Sequence, residues 1–572
     1  MSTLQSVFLG GMLGPAYLLI SVIAGAAFMP AHYAQLSSAW DRVLLQVLMG
    51  TLVHALIAAL VLGLDPGLNG IALWMTLGVA IAVLALRRRR PLFEPPLLVL
   101  FGLYAVCYAL LVSYHFSPAR GPTLFWSLYG LTGVTPGDSP QGAFQAQFLI
   151  HGSSLMGGEE FSLFDRPFLG GLITADALGA FGVRFSTTFY DYSLLTQLGY
   201  ASLWIGVNGI AAVALLSLVH RFAQGRAAYL SSLLVVSCPM LILNILGLWP
   251  KLYALAWLWA ACVLAVSGRP LSACLLSGVA FYAHGSFLWS HISFCGVMVF
   301  YLLAQSWRTQ HVHWSTLAGT LAACMFFPAV WFTSEHLFGG ESPLRQYYLY
   351  NVPVTEGFHR DAAEIASNFY GSTSASSLAL IPWMNLAKGA LPLELLDIIL
   401  NFRLDKQPPS WRDLGEALFR LQFLRSVFAL GLCGGIVAIC SLSTPRARRW
   451  LPRLALVAFL LLPLIPGLGL YRRDDHFLLP VMLFASIPVV IHFCIGLQRL
   501  STKVGISIAL CMLLEYLMVY FWRIPPVSYQ GEFVHYYRTA VICLVAAVAA
   551  LALLPPWRIL PLPGSRAAGD ES

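Results

Sequence analysis

Charged residues are scarce in this chain of 572 residues: Asp, Glu, Lys and Arg make up 10% of it, whereas 58% is hydrophobic. Soluble domains carry about 25% charged residues, so this composition excludes a chain whose whole surface faces water. Apolar runs long enough to cross a bilayer as a helix, about 20 residues, recur from end to end. They do not alternate as the strands of a transmembrane barrel do. The sequence therefore predicts an all-α, polytopic transmembrane helical bundle.

Cysteine pairs and the motifs of common enzyme classes are also absent. None of the eleven Cys belongs to a CxxC pair, and all fall in or beside apolar runs. A buried Cys without such spacing behaves as a small hydrophobic residue, so the cysteines predict neither a disulfide framework nor a metal site. The chain shows no P-loop, nucleophile elbow, zinc motif or dinucleotide fingerprint.

The formal net charge of +8 comes mostly from Arg and Lys in short loops between apolar runs. This distribution is the positive-inside bias that orients membrane proteins, and it does not indicate a nucleic-acid partner. The run Arg87 to Arg90 is the strongest marker of the cytoplasmic side. Counting back from it puts the N-terminus outside, unless one of the first three apolar runs is re-entrant. Counting forward puts these basic residues on the same side as the run: Arg221, Arg226, Arg269, Arg308, Arg446, Arg448, Arg449, Arg499 and Lys503.

The apolar runs predict roughly 13 to 15 spans, arranged around two long outer loops. The predicted spans lie at about 5–29, 42–64, 68–86, 95–114, 194–219, 227–248, 251–267, 271–289, 291–306, 315–333, 423–442, 451–470, 476–497, 504–522 and 539–557. Both loops are rich in Gly, Pro, Ser and aromatic residues, and apolar spacing predicts short helices in them, including Leu391–Leu400 and Leu414–Phe423. Long ordered loops on a rigid scaffold usually carry function, so we expect the chemistry outside the cytoplasm. The predicted regions are N-terminal spans (1–114), a first outer loop (115–193), central spans (194–333), a second outer loop (334–422), and C-terminal spans with a cytoplasmic tail (423–572).

The first outer loop contains three features in a fixed order. An acidic turn at 137–140 precedes a predicted amphipathic helix at 141–152, and an Arg-Pro segment at 164–171 leads into the next apolar stretch. This order resembles the first outer loop of GT-C-type glycosyltransferases. Those multispan enzymes take a sugar from a polyprenyl-phosphate carrier and attach it to an acceptor outside the cytoplasm. The family usually has this loop after its first span, whereas about four spans precede it here.

The resemblance implies roles for two residues of this loop. By motif position, Asp138 matches the acidic residue that serves as catalytic base or metal contact, and Arg166 matches the basic residue near the carrier phosphate. A carboxylate just outside a span also suits a general base, because it can accept the proton of an acceptor hydroxyl. The alternatives are that Asp138 only caps the following helix, and that Arg166 only pairs with Asp165.

Three further cations at outer span ends are candidates for binding the carrier phosphate. Lys251 lies at a predicted outer boundary, and its alternative role is to snorkel toward the headgroups. Arg472 and Arg473 lie where positive-inside bias disfavours Arg, and phosphate recognition favours the forked donors of Arg. Their alternative role is to pair with the two acidic residues that follow them.

Other polar residues are candidates for substrate contact or acid catalysis: Asp165, His284, His476 and Arg360. His284 and His291 are seven residues apart, about two helical turns, so a continuous helix would place them on one face. At membrane depth they predict a polar pocket, whereas a break at 283–286 would place them at the membrane interface. The neighbouring acidic residues 159 and 160 offer oxygen ligands to a divalent cation, or else form a solvated patch. The sequence therefore leaves the cofactor unassigned, with a divalent cation as one candidate.

The resemblance implies a lipid-linked sugar donor as partner, beside the membrane lipids, and Ala-, Leu- and Arg-rich usage favours a bacterial inner membrane. An O-antigen-type polymerase or ligase is the first alternative, because Arg360 and His359 would supply the Arg and His that it needs in one loop. A flippase or transporter is the second. Transporters place charges near the middle of the membrane, whereas this sequence concentrates them at outer span ends.

Overall fold

The computed structural model describes residues 2–30, 38–87, 93–115, 141–151, 168–183, 193–311, 314–338, 410–424, 426–443, 489–522 and 532–553, with short pieces at 33, 36, 371, 374–377, 379–380, 391–392, 395–396, 398 and 486. Within these residues the regular structure is helical and no strand occurs. Seven helical segments of this part are long and apolar enough to cross a membrane. The prediction of an all-α polytopic protein is confirmed.

The α-helices of the described ranges are numbered here in chain order. They are α1 (Thr3–Phe28), α2 (Ala39–Leu64), α3 (Ile71–Arg87), α4 (Pro95–His115), α5 (Gln141–His151), α6 (Leu169–Ala180), α7 (Leu194–Phe222), α8 (Gly225–Ser237), α9 (Pro239–Leu246), α10 (Lys251–Val266), α11 (Pro270–Ala283), α12 (Leu288–Thr309), α13 (Trp314–Phe338), α14 (Trp411–Leu424), α15 (Gly431–Ser441), α16 (Thr502–Trp522) and α17 (Glu532–Leu553).

Several predicted spans are shorter or divided in the structure. The run predicted as one span over 227–248 forms α8 and α9, which separate at Pro239 because proline has no backbone N–H for the helical ladder. The span predicted over 423–442 is only α15, and the chain before it forms the separate helix α14. The spans predicted at 451–470 and over most of 476–497 lie outside the described residues.

Basic residues from separate loops meet at one end of the bundle. Arg87 ends α3 and donates to a carbonyl in the last turn of α1, at 3.4 Å. Arg221, near the end of α7, pairs with Asp41 at the start of α2. Arg269, between α10 and α11, lies over the ring of Tyr33, 5.1 Å from its centroid. The structure therefore brings three of the predicted cytoplasmic basic loops to the same end.

The opposite end of the bundle carries the chain N-terminus and the start of the first outer loop. Tyr108, in the second half of α4, donates to the Val7 carbonyl near the start of α1, at 2.8 Å. The first outer loop follows α4 directly, so it leaves the bundle on the side opposite to Arg87. This arrangement agrees with the outward N-terminus that alternation of the spans predicts.

Small residues let α1 approach its neighbours closely. A Cβ added to Gly14 would lie 2.3 Å from the Ser202 carbonyl oxygen of α7, and one added to Gly50 of α2 would lie 1.8 Å from the Ser21 carbonyl oxygen of α1. Close backbone approach at small residues is a common mode of packing between membrane helices. As a result α7 lies in the centre of the bundle, and every residue from Thr196 to Val219 is buried.

Candidate functional site

Two helices of the first outer loop pack into the bundle. The sequence predicted a helix over 141–152, and α5 confirms it. Helix α6 packs against α5 and lies beside α2, α3 and α7, and all but one of the residues from Leu169 to Leu178 are buried. The first outer loop is therefore part of the protein core in this region.

The buried side chain of Trp204, on α7, is the point where the two loop helices meet the bundle. Its Nε1 donates to Thr174 Oγ1 of α6 at 3.1 Å. A Cβ added to Gly142, in the first turn of α5, would lie 3.0 Å from Nε1, and one added to Gly170 would lie 3.2 Å from the Trp204 ring. Both glycines let the loop backbone reach the indole ring.

Helix α10 brings a third chain segment to Trp204. The ring of Tyr253 lies edge-on to the indole, with centroids 6.5 Å apart, and its hydroxyl is 2.6 Å from Thr51 Oγ1 of α2. Lys251 begins α10 and is 5% exposed. Its Nζ lies 3.6 Å from the ring centroid of Trp249, an arrangement typical of a cation–π interaction.

A carboxylate of α6 joins this helix to two other segments of the N-terminal half. Asp176 Oδ1 accepts hydrogen bonds from the backbone N–H groups of Gly70 and Ala72, at 2.8 and 3.1 Å, and Oδ2 accepts from Leu73 N at 2.6 Å. These N–H groups lie at the start of α3, where no carbonyl of the helix itself can pair with them. His54 Nε2 of α2 lies 3.0 Å from Oδ2.

His54 lies between a carboxylate and a hydroxyl group. A carboxylate only accepts hydrogen bonds, so Nε2, which faces Asp176, carries a proton. Nδ1 lies 3.2 Å from the hydroxyl of Tyr17 on α1. All three side chains are at most 1% exposed. The cluster Tyr17–His54–Asp176, called here the carboxylate cluster, links α1, α2, α3 and α6.

Most of the predicted site residues lie outside the described part of the chain. These are Asp138, Asp165, Arg166, Arg360, Arg472, Arg473 and His476. Of the predicted site residues, Lys251 and His284 are described. Lys251 is buried, whereas a snorkelling Lys keeps its ammonium in water, so the snorkelling alternative is wrong for this residue.

The two histidines of the predicted polar pocket contact different groups. His284 follows the end of α11, and its ring lies edge-on to Phe287 with centroids 6.4 Å apart. His291 is on α12, and its Nδ1 lies 2.8 Å from Ser277 Oγ and 3.7 Å from Cys295 Sγ. The Ser277 contact joins α11 to α12, the Cys295 contact lies within α12, and the Phe287 contact lies in the 3-10 turn between the two helices.

The residues of the carboxylate cluster were not among the sequence candidates. His54 falls within the predicted span 42–64, and Asp176 falls in the apolar stretch after the Arg-Pro segment. Ionisable groups at membrane depth are candidates for function by default; this rule would have identified His54 but not Asp176, which falls in the predicted first outer loop. Tyr17 carries no comparable signal, because Tyr is an ordinary residue at membrane boundaries.

Within the described part of the chain, no group of three or more His, Cys, Asp or Glu side chains is arranged to hold a metal ion. Comparisons with known proteins find no match for this chain, either among family models, among curated proteins or among solved structures.

Proposed function

We propose that the protein is a membrane glycosyltransferase of the bacterial inner membrane. It would move a sugar from a polyprenyl-phosphate carrier to an acceptor on the non-cytoplasmic side. The observation that supports this proposal is the meeting of three chain segments at Trp204, because each segment flanks one residue that the sequence assigns to the reaction. These residues are Asp138, Arg166 and Lys251.

Two of the segments belong to the first outer loop. Asp138 precedes Gly142 by four residues, and Arg166 precedes Gly170 by four residues. Both glycines contact Trp204, and four residues of chain span at most about 14 Å. The proposed base and a proposed phosphate ligand therefore belong to segments anchored at the same indole ring.

The third segment supplies a buried cation. Lys251 precedes Tyr253, which contacts Trp204, by two residues. The electron-rich ring of Trp249 lies 3.6 Å from the Nζ of Lys251, and such a ring stabilises a buried positive charge. A lipid phosphate entering at the outer end of α10 would meet a positive side chain and the positive end of a helix dipole together.

These roles define an inverting displacement. The acceptor hydroxyl forms a bond to the anomeric carbon while the bond from that carbon to the carrier phosphate oxygen breaks. Asp138 takes the hydroxyl proton, and the phosphate leaves with the electron pair of the broken bond. Lys251 and Arg166, with Arg472 or Arg473, stabilise the charge on the departing phosphate, which is the larger electrostatic contribution.

Binding of a polyprenyl phosphate tests the carrier part of the proposal. Protein in nanodiscs is titrated with polyprenyl monophosphate and, separately, with the uncharged polyprenol. We expect Lys251→Gln to weaken phosphate binding about tenfold or more, as loss of one charge-assisted contact does, without changing polyprenol binding. Lys503→Gln is the matched control, because Lys503 lies in the first turn of α16 and is exposed. Equal affinities of both variants and the wild type would contradict the proposal.

Asp138→Asn tests the catalytic part. An amide cannot accept the acceptor proton, so transfer should fall by about two to four orders of magnitude, while polyprenyl phosphate binding stays unchanged. The measurement is sugar release from the polyprenyl-phosphate donor by the reconstituted protein. A variant that keeps more than about a third of the wild-type rate would leave Asp138 as a helix cap and move the search for the base to Asp165.

The two alternatives make different demands. A polymerase or ligase would depend on Arg360, so Arg360→Ala would abolish activity where Asp138→Asn does not.

A transporter is favoured by one observation, the His54–Asp176 pair at membrane depth. Against it, the Asp176 carboxylate accepts four hydrogen bonds, three of them from backbone groups that cannot move away. Such a carboxylate is better suited to fixing structure than to carrying a proton.

A further inference from the structure

Helix α6 is too short to be held by the membrane itself. It has 12 residues, which extend about 18 Å, whereas the hydrocarbon core is about 30 Å thick. Its place in the bundle therefore depends on side-chain packing and hydrogen bonds. Asp176 supplies the strongest of these, since hydrogen bonds to a charged group are worth about twice those between neutral groups.

We propose that Asp176 is a positioning residue: through His54, Tyr17 and the start of α3 it holds α6 in the bundle and so positions the segment that carries Arg166. The second half of this inference rests on the proposed function. The first half concerns the docking of α6 alone and stands on the described contacts.

The contacts at both ends of α6 show how a displacement of this helix would affect the chain segments next to it. At the C-terminal end, a Cβ added to Gly179 would lie 2.8 Å from Asn69 Nδ2, so α6 abuts the turn before α3. At the N-terminal end, Phe168 stacks on Phe148 of α5 with centroids 6.2 Å apart, and lies edge-on to Trp331 of α13 at 6.0 Å. Phe168 follows Arg166 by two residues, so a shift of α6 along the bundle moves the attachment point of the Arg166 segment.

The substitution Asp176→Asn removes the carboxylate at nearly constant volume. One amide oxygen can still accept from Gly70 and Ala72. The amide NH₂ group then faces the backbone N–H of Leu73, which can only donate, and a donor opposite a buried donor leaves both unsatisfied. The variant therefore weakens the docking of α6 without creating a cavity.

Hydrogen–deuterium exchange of the full chain in nanodiscs measures this docking directly. We expect Asp176→Asn to speed exchange of amides in 169–180 and 70–73 by about tenfold or more, which corresponds to a loss of about 1.4 kcal/mol, with no change in α12 or α16. The matched control is Glu515→Gln, because Glu515 caps α15 in a similar way. It should speed exchange only near 431–441. Unchanged protection of 169–180 in Asp176→Asn would overturn the proposal.

Tyr17→Phe keeps the experiment decisive if Asp176→Asn does not fold. It removes one hydroxyl and leaves the carboxylate and its backbone bonds in place. We expect faster exchange in the same peptides, 169–180 and 70–73, by a smaller factor of about two to five, as for one neutral hydrogen bond. Faster exchange spread evenly over all helices would show that Tyr17 stabilises the bundle in general, and would overturn the specific role of the carboxylate cluster.

A double-mutant cycle with Arg166 tests positioning as distinct from stability. Polyprenyl monophosphate affinity is measured for Asp176→Asn, Arg166→Ala and the double variant. If Asp176 acts through Arg166, the two losses are not additive, and the double variant binds about as well as Arg166→Ala. Additive losses, or no loss in Asp176→Asn, would overturn the positioning role. If the wild type binds no polyprenyl phosphate, the proposed function fails, whereas the exchange experiment still decides whether Asp176 docks α6.

Discussion

Gly70 precedes α3 and Gly431 opens α15, and both adopt a positive φ, +90° and +89°. At each helix start a carboxylate from a distant helix accepts hydrogen bonds from the first backbone N–H groups. Asp176 of α6 does so at α3, and Glu515 of α16 does so at α15. Acidic groups at this position compensate the positive end of the helix dipole and pair with N–H groups that the helix itself leaves free.

The two caps differ in what they connect. Glu515 accepts from Leu432 N at 2.7 Å and Cys433 N at 3.0 Å, is partly buried, and belongs to a helix that is itself long enough to span the membrane. Asp176 is fully buried, pairs with three N–H groups and with His54, and belongs to a helix of the first outer loop. In the C-terminal half, a carboxylate therefore only caps the start of one helix. In the N-terminal half, a carboxylate also holds the helix that carries it, α6, against the bundle.

Removing the two carboxylates in turn should give the largest difference in the loss of unfolding free energy between the two regions. Asp176→Ala leaves four buried donors without an acceptor, so we expect the free energy of unfolding to fall by about 3–5 kcal/mol. Glu515→Ala frees two N–H groups nearer the surface of the bundle, and we expect a fall of about 1–2 kcal/mol. The measurement is unfolding of both variants and the wild type in mixed micelles, followed by circular dichroism.

The matched polar variants separate the charge from the cavity. Glu515→Gln and Asp176→Asn keep the side-chain volume. We therefore expect Asp176→Asn to lower the free energy of unfolding more than Glu515→Gln does, as in the Ala pair. Equal losses at the two sites would show that the contacts of Asp176 with α1, α2 and α3 add nothing beyond a helix cap.

The cap that Glu515 forms at the start of α15 could be predicted from the sequence. Glu515 lies inside an apolar run, where a polar side chain is expected to bond to another helix, and its carboxylate accepts from the first N–H groups of α15. A helix over Leu414–Phe423 was also predicted from apolar spacing, and α14 confirms it with a start three residues earlier. Ser410 and Asp413 explain that start, since Ser410 N donates to Asp413 Oδ2 at 2.8 Å and Asp413 N donates to Ser410 Oγ at 3.2 Å, a reciprocal cap like a capping box.

The cap that Asp176 forms at the start of α3 was not predictable in the same way. Asp176 pairs with backbone groups about a hundred positions earlier in the chain, at separations of 103 to 106 residues, and backbone groups leave no signature in a sequence. The division of α8 from α9 at Pro239 was also missed, because the apolar run continues through it and hydropathy does not record a lost N–H group. Hydropathy fixes which segments enter the membrane, whereas helix starts inside the bundle depend on which polar group reaches them.

Alanine substitution of the two glycines should give a smaller difference in the free energy of unfolding between the two helix starts. Alanine at a positive φ costs about 1–2 kcal/mol at either site, so the neighbours decide the difference. A Cβ at Gly70 would lie 2.3 Å from the backbone nitrogen of Ala180, which cannot move without undocking α6.

At Gly431 the nearest atom is Glu515 Oε2, at 2.4 Å, the end of a flexible side chain. We therefore expect Gly70→Ala to lower the free energy of unfolding by about 2–3 kcal/mol and Gly431→Ala by about 1–2 kcal/mol. Gly78→Ala is the control within α3, because no atom lies within 4 Å of its Cβ position and alanine is the better helix former; it should be neutral or stabilising. Unfolding in mixed micelles and exchange of 169–180 are measured together. If Gly70→Ala destabilises the protein without speeding exchange in 169–180, the turn before α3 and the docking of α6 are independent, and the carboxylate cluster acts on α3 alone.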